Sequence, residues 1–276
     1  MAGWPVDHSR SPTIHRHWLK ELGLSGSYER FAVRPAELHP FAIQIGRDEL
    51  VGANVTAPHK EAAFSLCDRR TPVAEALGAV NTLWRQDGLL WGDNTDVAGF
   101  LANMDDSVPG WEGRANLAVV IGAGGAARAI VHALKSRGFE RIAVVNRTQS
   151  RAEALAAHFG APAQATPWSR LGADLREADL LVNTSVLGMA GQPPLAVDLG
   201  PLPNQAVVAD IVYVPLRTPL IEAARARGLR AAEGLGMLLH QAAPGFARWF
   251  GARPTVTPAL RALVEAEVLA TRVEGR

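Results

Sequence analysis

Lysine is scarce in this 276-residue chain. Of its 28 basic residues only Lys20, Lys60 and Lys135 are lysines; the rest are arginines. Arginine does not give up its proton near neutral pH, whereas a lysine can pass one to or from a reacting oxygen. Lys60 closes the run Asn54-Val55-Thr56-Ala57-Pro58-His59-Lys60, directly after a short apolar strand pattern. A second run, Gly92-Asp93-Asn94-Thr95-Asp96, also follows a strand pattern and ends in a carboxylate. Open α/β sheets bind ligands beyond the carboxyl ends of their strands. Lys60 and Asp96 are therefore candidates for a proton-transfer pair, although on spacing alone the reading of Lys60 as an ordinary helix-surface residue would prevail.

The run Gly122-Ala123-Gly124-Gly125-Ala126-Ala127 follows an apolar strand and opens a helix. It fits G-x-G-x-x-A: a glycine for the tight turn, a second for close approach to a pyrophosphate, and a small residue for helix–strand packing. The other reading is a glycine-rich turn without a ligand. Asn146-Arg147-Thr148 ends the next strand, where an NAD-binding chain would place an acid for the ribose 2′-hydroxyl. No acid stands there. Arg147 and Arg151 offer two guanidiniums to a 2′-phosphate, each charge-assisted hydrogen bond being worth about 1.5–3 kcal/mol. This favours NADP over NAD, against the alternative of two solvated helix-start arginines. Ser9 and Ser11 sit at a helix entrance, where two hydroxyls could hold a small carboxylate; alternatively Ser11 is an N-cap ahead of Pro12. His8, His15 and His17 lack acidic or cysteine neighbours and read as helix-surface residues, so no metal is expected.

The elements that must position these residues alternate in type. Helices are expected at 12–22, 36–45, 59–67 and 97–104, and strands at 28–33 and 50–55. A hairpin over 80–84 and 89–92 turns at Asp87-Gly88. The pattern breaks into Asp, Ser, Pro and Gly over 105–116. Strands then follow at 117–121, 141–145, 180–183 and 207–211, with helices at 126–137 and 150–159. That β-α-β-α series argues for a parallel sheet covered by helices. Closing helices are expected at 235–250 and 258–273, the first kinked or restarted at Pro244. The fold class is α/β with two domains: 1–101 completed by 236–276, and 102–235. Hydrophobic residues make up 48% and charged residues 20%, a globular composition. The net charge of +1 gives no reason to expect nucleic acid or an anionic membrane as partner. The single cysteine, Cys67, excludes an internal disulfide. No signal-peptide pattern opens the chain, and a cytoplasmic location is expected.

Taken in order, these runs resemble the NADP-dependent shikimate dehydrogenase family. The resemblance covers nearly the whole chain. It is carried by Ser9-Arg10-Ser11-Pro12, Asn54 to Lys60, Gly78-Ala79-Val80-Asn81-Thr82, Gly92 to Asp96, Gly122 to Ala127 and Asn146 to Arg151. It continues in Asn183-Thr184-Ser185, Gly234-Leu235-Gly236-Met237-Leu238, Gln241 and Trp249-Phe250-Gly251. The resemblance implies an N-terminal α/β substrate domain with a mainly parallel sheet and a Rossmann-type NADP-binding domain. Lys60 and Asp96 would be catalytic, and Ser9 and Ser11 would bind the substrate carboxylate. Thr56, Asn81 and Gln241 would hold ring hydroxyls, with Tyr213 nearby. Gly122, Gly124, Gly125, Ala126, Ala127, Asn146, Arg147, Thr148 and Arg151 would bind NADP, with Thr184 and Gly234 on the nicotinamide side.

The reaction implied is reversible reduction of 3-dehydroshikimate by NADPH, on the route to chorismate and the aromatic amino acids, by a monomer or homodimer. Two departures stand against the family pattern. Arg16 follows His15 where the family usually has Asn. Only Met1-Ala2-Gly3-Trp4 stands where the family has an apolar strand, so the natural protein is expected to begin about ten residues earlier, one strand's length. The rival readings are a quinate or quinate/shikimate dehydrogenase and a non-catalytic NADP-binding regulator; Lys60 and Asp96 together argue against the regulator. A methylene-tetrahydrofolate dehydrogenase-like enzyme shares the two-domain plan but leaves Ser9, Ser11 and Asp96 unexplained.

Overall fold

The computed structural model describes residues 1–47 and 50–274. The chain divides into two α/β units, one of Met1–Asp96 with Leu239–Arg276 and the other of Val97–Leu238. Both boundaries fall inside helices.

The first unit runs β1 (Ala2–Gly3), α1 (Ser11–Glu21), β2 (Phe31–Ala32), α2 (Leu38–Gln44), β3 (Gly52–Asn54), α3 (Lys60–Leu66), β4 (Arg69–Arg70), α4 (Pro72–Leu77), β5 (Thr82–Gln86) and β6 (Leu89–Asp93). A four-stranded sheet has the order β3-β5-β6-β4, antiparallel through the β5–β6 hairpin and parallel at β4. Asp87 and Gly88 both have positive φ, 52° and 77°, as a two-residue I′ turn requires. β1 pairs in parallel with β2, and Ala2 also bridges Val55. The Phe31 and Val33 amides donate to Met1 O and Gly3 O at 2.8 and 3.0 Å, while the Thr56 amide donates to Ala2 O at 3.0 Å. Successive carbonyls of an extended strand face opposite edges, so this short strand bonds neighbours on both sides. Ala2, Val33, Phe41, Val55 and Leu83 share one buried core.

Three local expectations need correction here. Arg10, not Ser11, holds the N-cap position of α1, and Ser11 lies in the first turn; the Ser9 hydroxyl accepts the Ser11 amide at 3.3 Å. The 28–33 strand shortens to β2, the two residues that pair with the equally short β1. His15 is not a surface residue. It is fully buried and stacks on Tyr28 with ring centroids 3.9 Å apart and planes within 5°. It shares the inward face of α1 with Ile14 and Trp18, a face wide enough to take in a residue that its type alone would place outside. Burial drives its imidazole pKa well below the usual value, which keeps it neutral.

Helix α5 (Asp96–Ser107) leads into the second unit. There β7 (Leu117–Ile121), α6 (Gly125–Ser136), β8 (Arg141–Val145), α7 (Gln149–Phe159), β9 (Ala163–Thr166), α8 (Leu171–Leu175), β10 (Leu180–Asn183), β11 (Val207–Asp210), α9 (Pro219–Ala226) and β12 (Arg230–Ala232) alternate. The sheet is wholly parallel, with the order β12-β11-β10-β7-β8-β9. Strands β7, β10 and β11 are buried on both faces, which is why they read as unbroken apolar runs. Strand order reverses at β7, so the ligand-binding crevice of such a sheet opens beyond its carboxyl end. Helices α10 (Gly234–Phe250) and α11 (Pro258–Glu274) close the chain. α10 runs through Pro244 as one helix rather than restarting, held by Ala242 and Phe246, both buried. No helix among the described residues is long and apolar enough to cross a membrane.

Asp210, at the end of β11, is a buried carboxylate. It accepts hydrogen bonds from Asn183 Nδ2 at 3.0 Å, the Val212 amide at 3.0 Å and Thr218 Oγ1 at 2.6 Å. Burial outweighs these donors and pushes its pKa up to about 6. A carboxyl whose folded pKa is raised holds its proton more tightly when folded, so its contribution to stability falls as pH rises from about 4 to 6. We expect the difference in Tm between the unsubstituted protein and Asp210→Asn to change over that range and to flatten above it. A pH-independent difference, measured by thermal unfolding from pH 4 to 8, would contradict this.

Candidate active site

Lys60 is the first residue of α3, reached from β3 by a turn in which the His59 amide donates to Thr56 O at 2.8 Å. Buried His59 is pinned through its ring Nε2, 2.7 Å from Val33 O. Asp96 opens α5, where an acid suits the positive end of the helix, and its amide donates to Asn94 Oδ1 at 3.1 Å. Lys60 Nζ lies 2.5 Å from Asp96 Oδ2. The carboxylate side chain is 8% exposed and the lysine 24%. The ion pair is therefore sheltered on one side and reachable on the other. Asp96 takes one of the three ammonium N–H donors, and donors remain for an incoming oxygen.

Asn81 joins this pair to the rest of the unit. Its Nδ2 donates to Asp96 Oδ1 at 3.0 Å and to Gln241 Oε1 at 3.2 Å. Its Oδ1 accepts from the Thr95 amide at 2.9 Å and from Thr82 Oγ1 at 2.9 Å. Four residues expected at the site, Lys60, Asp96, Asn81 and Gln241, thus form one hydrogen-bonded group. Ser9 and Ser11 are both buried at the start of α1, and the Ser9 carbonyl is gripped by Arg30 at 3.0 and 2.6 Å. Thr56 is half-buried in the turn ahead of Lys60. Tyr213 belongs to the second unit, in the segment that follows β11. The sequence pattern did not flag Tyr28 and gave Asn54 no role beyond opening the run that ends in Lys60, yet Tyr28 donates to Asn54 Oδ1 at 2.6 Å, and Asn54 Nδ2 donates to Thr82 Oγ1 at 3.0 Å.

In the second unit the glycine run forms the β7–α6 turn. Gly122 has φ 117°, and a Cβ there would lie 2.4 Å from Thr184 Oγ1 and 3.1 Å from backbone. Thr184 is fixed in turn, its Oγ1 donating to Ile121 O at 2.8 Å. A Cβ on Gly124 or Gly125 would meet nothing within 4 Å, so this side of the helix start is open to a ligand. Ala127, fully buried, lets α6 pack close on the sheet, while Ala126 is half-buried. A cavity of about 620 Å³ adjoins the turn and is lined by Gly122, Asn146 and Arg147 together with Trp168, Ser185 and Gln192. Thr148 and Arg151 are exposed at the start of α7, where the Thr148 carbonyl accepts Asn146 Nδ2 at 2.9 Å. Gly234 opens α10, and a Cβ there would meet Ile211 O at 2.4 Å, a packing demand. Trp168 is a lining residue that the sequence pattern missed; an aromatic among polar residues, 41% exposed, is its one signal. Among the described residues no cluster of His, Cys, Asp or Glu is arranged to hold a metal.

An open glycine turn at the switch point of a parallel sheet, bordered by arginine, fits a dinucleotide carrying a 2′-phosphate. With a lysine–carboxylate pair on a separate α/β unit, the chain has the makings of a two-domain nicotinamide-dependent oxidoreductase. Comparison with known proteins narrows this. Residues 1–83 match the shikimate dehydrogenase substrate-binding domain, 110–187 the shikimate/quinate 5-dehydrogenase domain and 234–264 the shikimate 5′-dehydrogenase C-terminal domain. Shikimate dehydrogenase (NADP(+)) of Methylocella silvestris is 58% identical, over 97% of this chain and 95% of that protein. Its counterpart in Azorhizobium caulinodans is 53% identical, over 98% and 96%. The crystal structure of shikimate 5-dehydrogenase from Thermus thermophilus in complex with NADP(H) and shikimate aligns with TM-score 0.85 at 37% identity, covering 97% of each chain. Quinate dehydrogenase from Corynebacterium glutamicum in complex with NAD aligns with TM-score 0.88 at 31% identity, over 96% and 97%. The chain belongs to the shikimate dehydrogenase family.

Two of the three glycines of the turn, Gly122 and Gly124, separate folding from binding. Gly124→Ala should leave Tm within about 1 °C while weakening NADP binding about tenfold, or about 1.4 kcal/mol. Gly122→Ala should lower both, its strained backbone and clash costing on the order of 1–3 kcal/mol. Thermal unfolding and NADP titration of both variants check this; a Gly124→Ala protein with unchanged NADP affinity would contradict it.

Proposed function

We propose that the protein catalyses the reversible NADPH-dependent reduction of 3-dehydroshikimate to shikimate, a step toward chorismate and the aromatic amino acids. The observation that carries this reading is the Lys60–Asp96 pair, 2.5 Å apart and half-open, tied through Asn81 to Gln241. When bound, NADPH supplies a hydride to the ring carbonyl carbon. Lys60 delivers a proton to the carbonyl oxygen, so that one C–H and one O–H bond form as the C=O double bond becomes single. Asp96 orients the ammonium and accepts a hydrogen bond from the neighbouring ring hydroxyl. Asn81, Gln241 and Thr56 hold the other ring oxygens, with Tyr213 nearby, and Ser9 and Ser11 hold the carboxylate. Gly122, Gly124, Gly125, Ala126 and Ala127 form the turn for the pyrophosphate. Asn146, Arg147, Thr148 and Arg151 take the adenosine 2′-phosphate end, and Thr184 and Gly234 the nicotinamide side. A cytoplasmic monomer or homodimer that meets small molecules rather than nucleic acid fits the net charge of +1.

Quinate oxidation is the second reading, favoured by the 0.88 TM-score to a quinate dehydrogenase. The shikimate-named relatives are much closer in sequence, and Arg147 with Arg151 favours the phosphorylated cofactor. Initial rates on shikimate and quinate, each with NADP and NAD, decide between them. Turnover mainly with shikimate and NADP is expected. Quinate turnover would move the assignment, and NADP binding without turnover would revive the regulator. Lys60→Ala should lower kcat by about 10²–10⁴ with little change in KM; near-normal kcat in that variant would remove Lys60 from the chemistry.

A further inference from the structure

Arg30 takes no part in the scheme above, yet its side chain meets the carboxylate end of the first unit's site. Ser9 stands one residue ahead of Arg10, the N-cap of α1. Its carbonyl therefore lies outside the helical ladder, which begins with the Ile14 amide donating to Arg10 O. Arg30, the residue before β2, supplies the donors that the helix does not. Its Nε and Nη2 donate to Ser9 O at 3.0 and 2.6 Å. A carbonyl oxygen has two lone pairs, and one guanidinium fork can fill both. The rest of Ser9 is fixed as well. Its amide donates to Val6 O at 3.0 Å, and its hydroxyl oxygen accepts the Ser11 amide at 3.3 Å, which leaves the hydroxyl hydrogen to give. Helix α11 anchors the same cluster. Glu267 Oε1 lies 4.0 Å from Arg30 Nη2 and 2.9 Å from Arg10 Nη1, and Glu267 Oε2 accepts the Thr13 hydroxyl at 2.5 Å.

We propose that Arg30 is a positioning residue for the substrate carboxylate: its fork sets the Ser9–Ser11 turn through the Ser9 carbonyl, so that the two hydroxyls present one fixed geometry to the ligand. The proposal rests on the functional reading above, because it takes Ser9 and Ser11 as carboxylate ligands. The peptide group between Ser9 and Arg10 is planar, so a carbonyl that turns away carries the whole peptide plane with it. Without the fork, Ser9 O would turn toward water, and the spacing of the Ser9 and Ser11 hydroxyls would change. This has a consequence that simple packing would not have. The loss falls on ligands that carry a carboxylate, and it spares both the ring hydroxyls and the cofactor.

The probe is the methyl ester of shikimate, which keeps the ring and its hydroxyls and lacks the negative charge. Arg30→Met removes the fork and keeps an apolar stem. It should raise KM for shikimate about tenfold and change kcat less than about twofold, the scale of one weakened hydrogen bond to a charged ligand. KM for the methyl ester should rise less than about twofold, so the preference for shikimate over its ester shrinks by about fivefold or more. KM for NADP should not move. Arg30→Lys keeps the charge but offers a point ammonium in place of the fork, and should fall between the two. Combined with Ser9→Ala, Arg30→Met should cost less than the product of the two single effects, because it acts through Ser9. An unchanged preference for shikimate over its ester, a common rise in KM for shikimate, ester and NADP, or a fully multiplicative double variant would overturn the proposal. So would an Arg30→Lys protein that matches the unsubstituted one, since charge alone would then suffice. Should Arg30→Met not fold, Arg30→Lys decides by the same ratio. If the unsubstituted protein prefers shikimate to its ester and the variants leave that preference intact, this proposal alone fails. If it turns over both equally, Ser9 and Ser11 do not read the carboxylate and the proposal falls. If it neither binds nor turns over shikimate, the functional reading fails and takes the proposal with it.

Discussion

A buried asparagine cannot leave its amide unpaired without losing more than a hydrogen bond normally contributes, so its neighbours must be built to meet it. Asn81 is 2% exposed and meets that demand in full. Its amide donates to Asp93 O at 2.9 Å and its carbonyl accepts the Val55 amide at 2.8 Å, which ties together the ends of β3, β5 and β6. Its side chain then reaches Thr82, Thr95, Asp96 and Gln241. Through Asp96 it sets the position of the Lys60 amine. The proposed acid–base pair is thus held by a side chain that its neighbours already fix. Preorganisation of this kind spares the reaction from having to reorient its surroundings.

The second unit solves a different problem by a different means. Its site needs room rather than polar groups, because a pyrophosphate bonds to backbone amides at a helix start. Gly122 tolerates no side chain against Thr184, while Gly124 and Gly125 face open space. The first glycine serves the fold, and the next two leave the room that the proposed pyrophosphate site requires. The parallel sheet makes this possible, since β7 and β10 end side by side in register, Ile121 opposite Asn183, and so bring the glycine turn against the Thr184 segment.

Much of this was legible in one dimension, and the parts that were not share a cause. Strands β7, β8 and β10 are buried on both faces, so solvent exposure adds no polar alternation to blur them. The edge strands β4, β9 and β12 are short and face solvent on one side, and residues such as Arg69, Arg70 and Gln164 carry no strand pattern. His15 looked polar and proved to be core, because Tyr28 offers its imidazole a ring face rather than water. Trp168 and Asp210 carry no motif at all; the cavity wall and the buried carboxylate exist only once distant segments meet.

The sequence by itself determined the order of elements, the glycine turn with its arginines, and the placing of Lys60 and Asp96 at strand ends. Those are local matters, governed by periodicity, turn chemistry and the few residue types able to perform a given reaction. Only the tertiary structure decided that Asn81 and Gln241 share a hydrogen bond across more than half the chain, and that Tyr28 donates to Asn54. It also decided that Ser11 lies within its helix rather than capping it. Hydrogen bonds in a buried network are chosen by which unpaired groups the packing brings together, and no spacing along the chain encodes that choice.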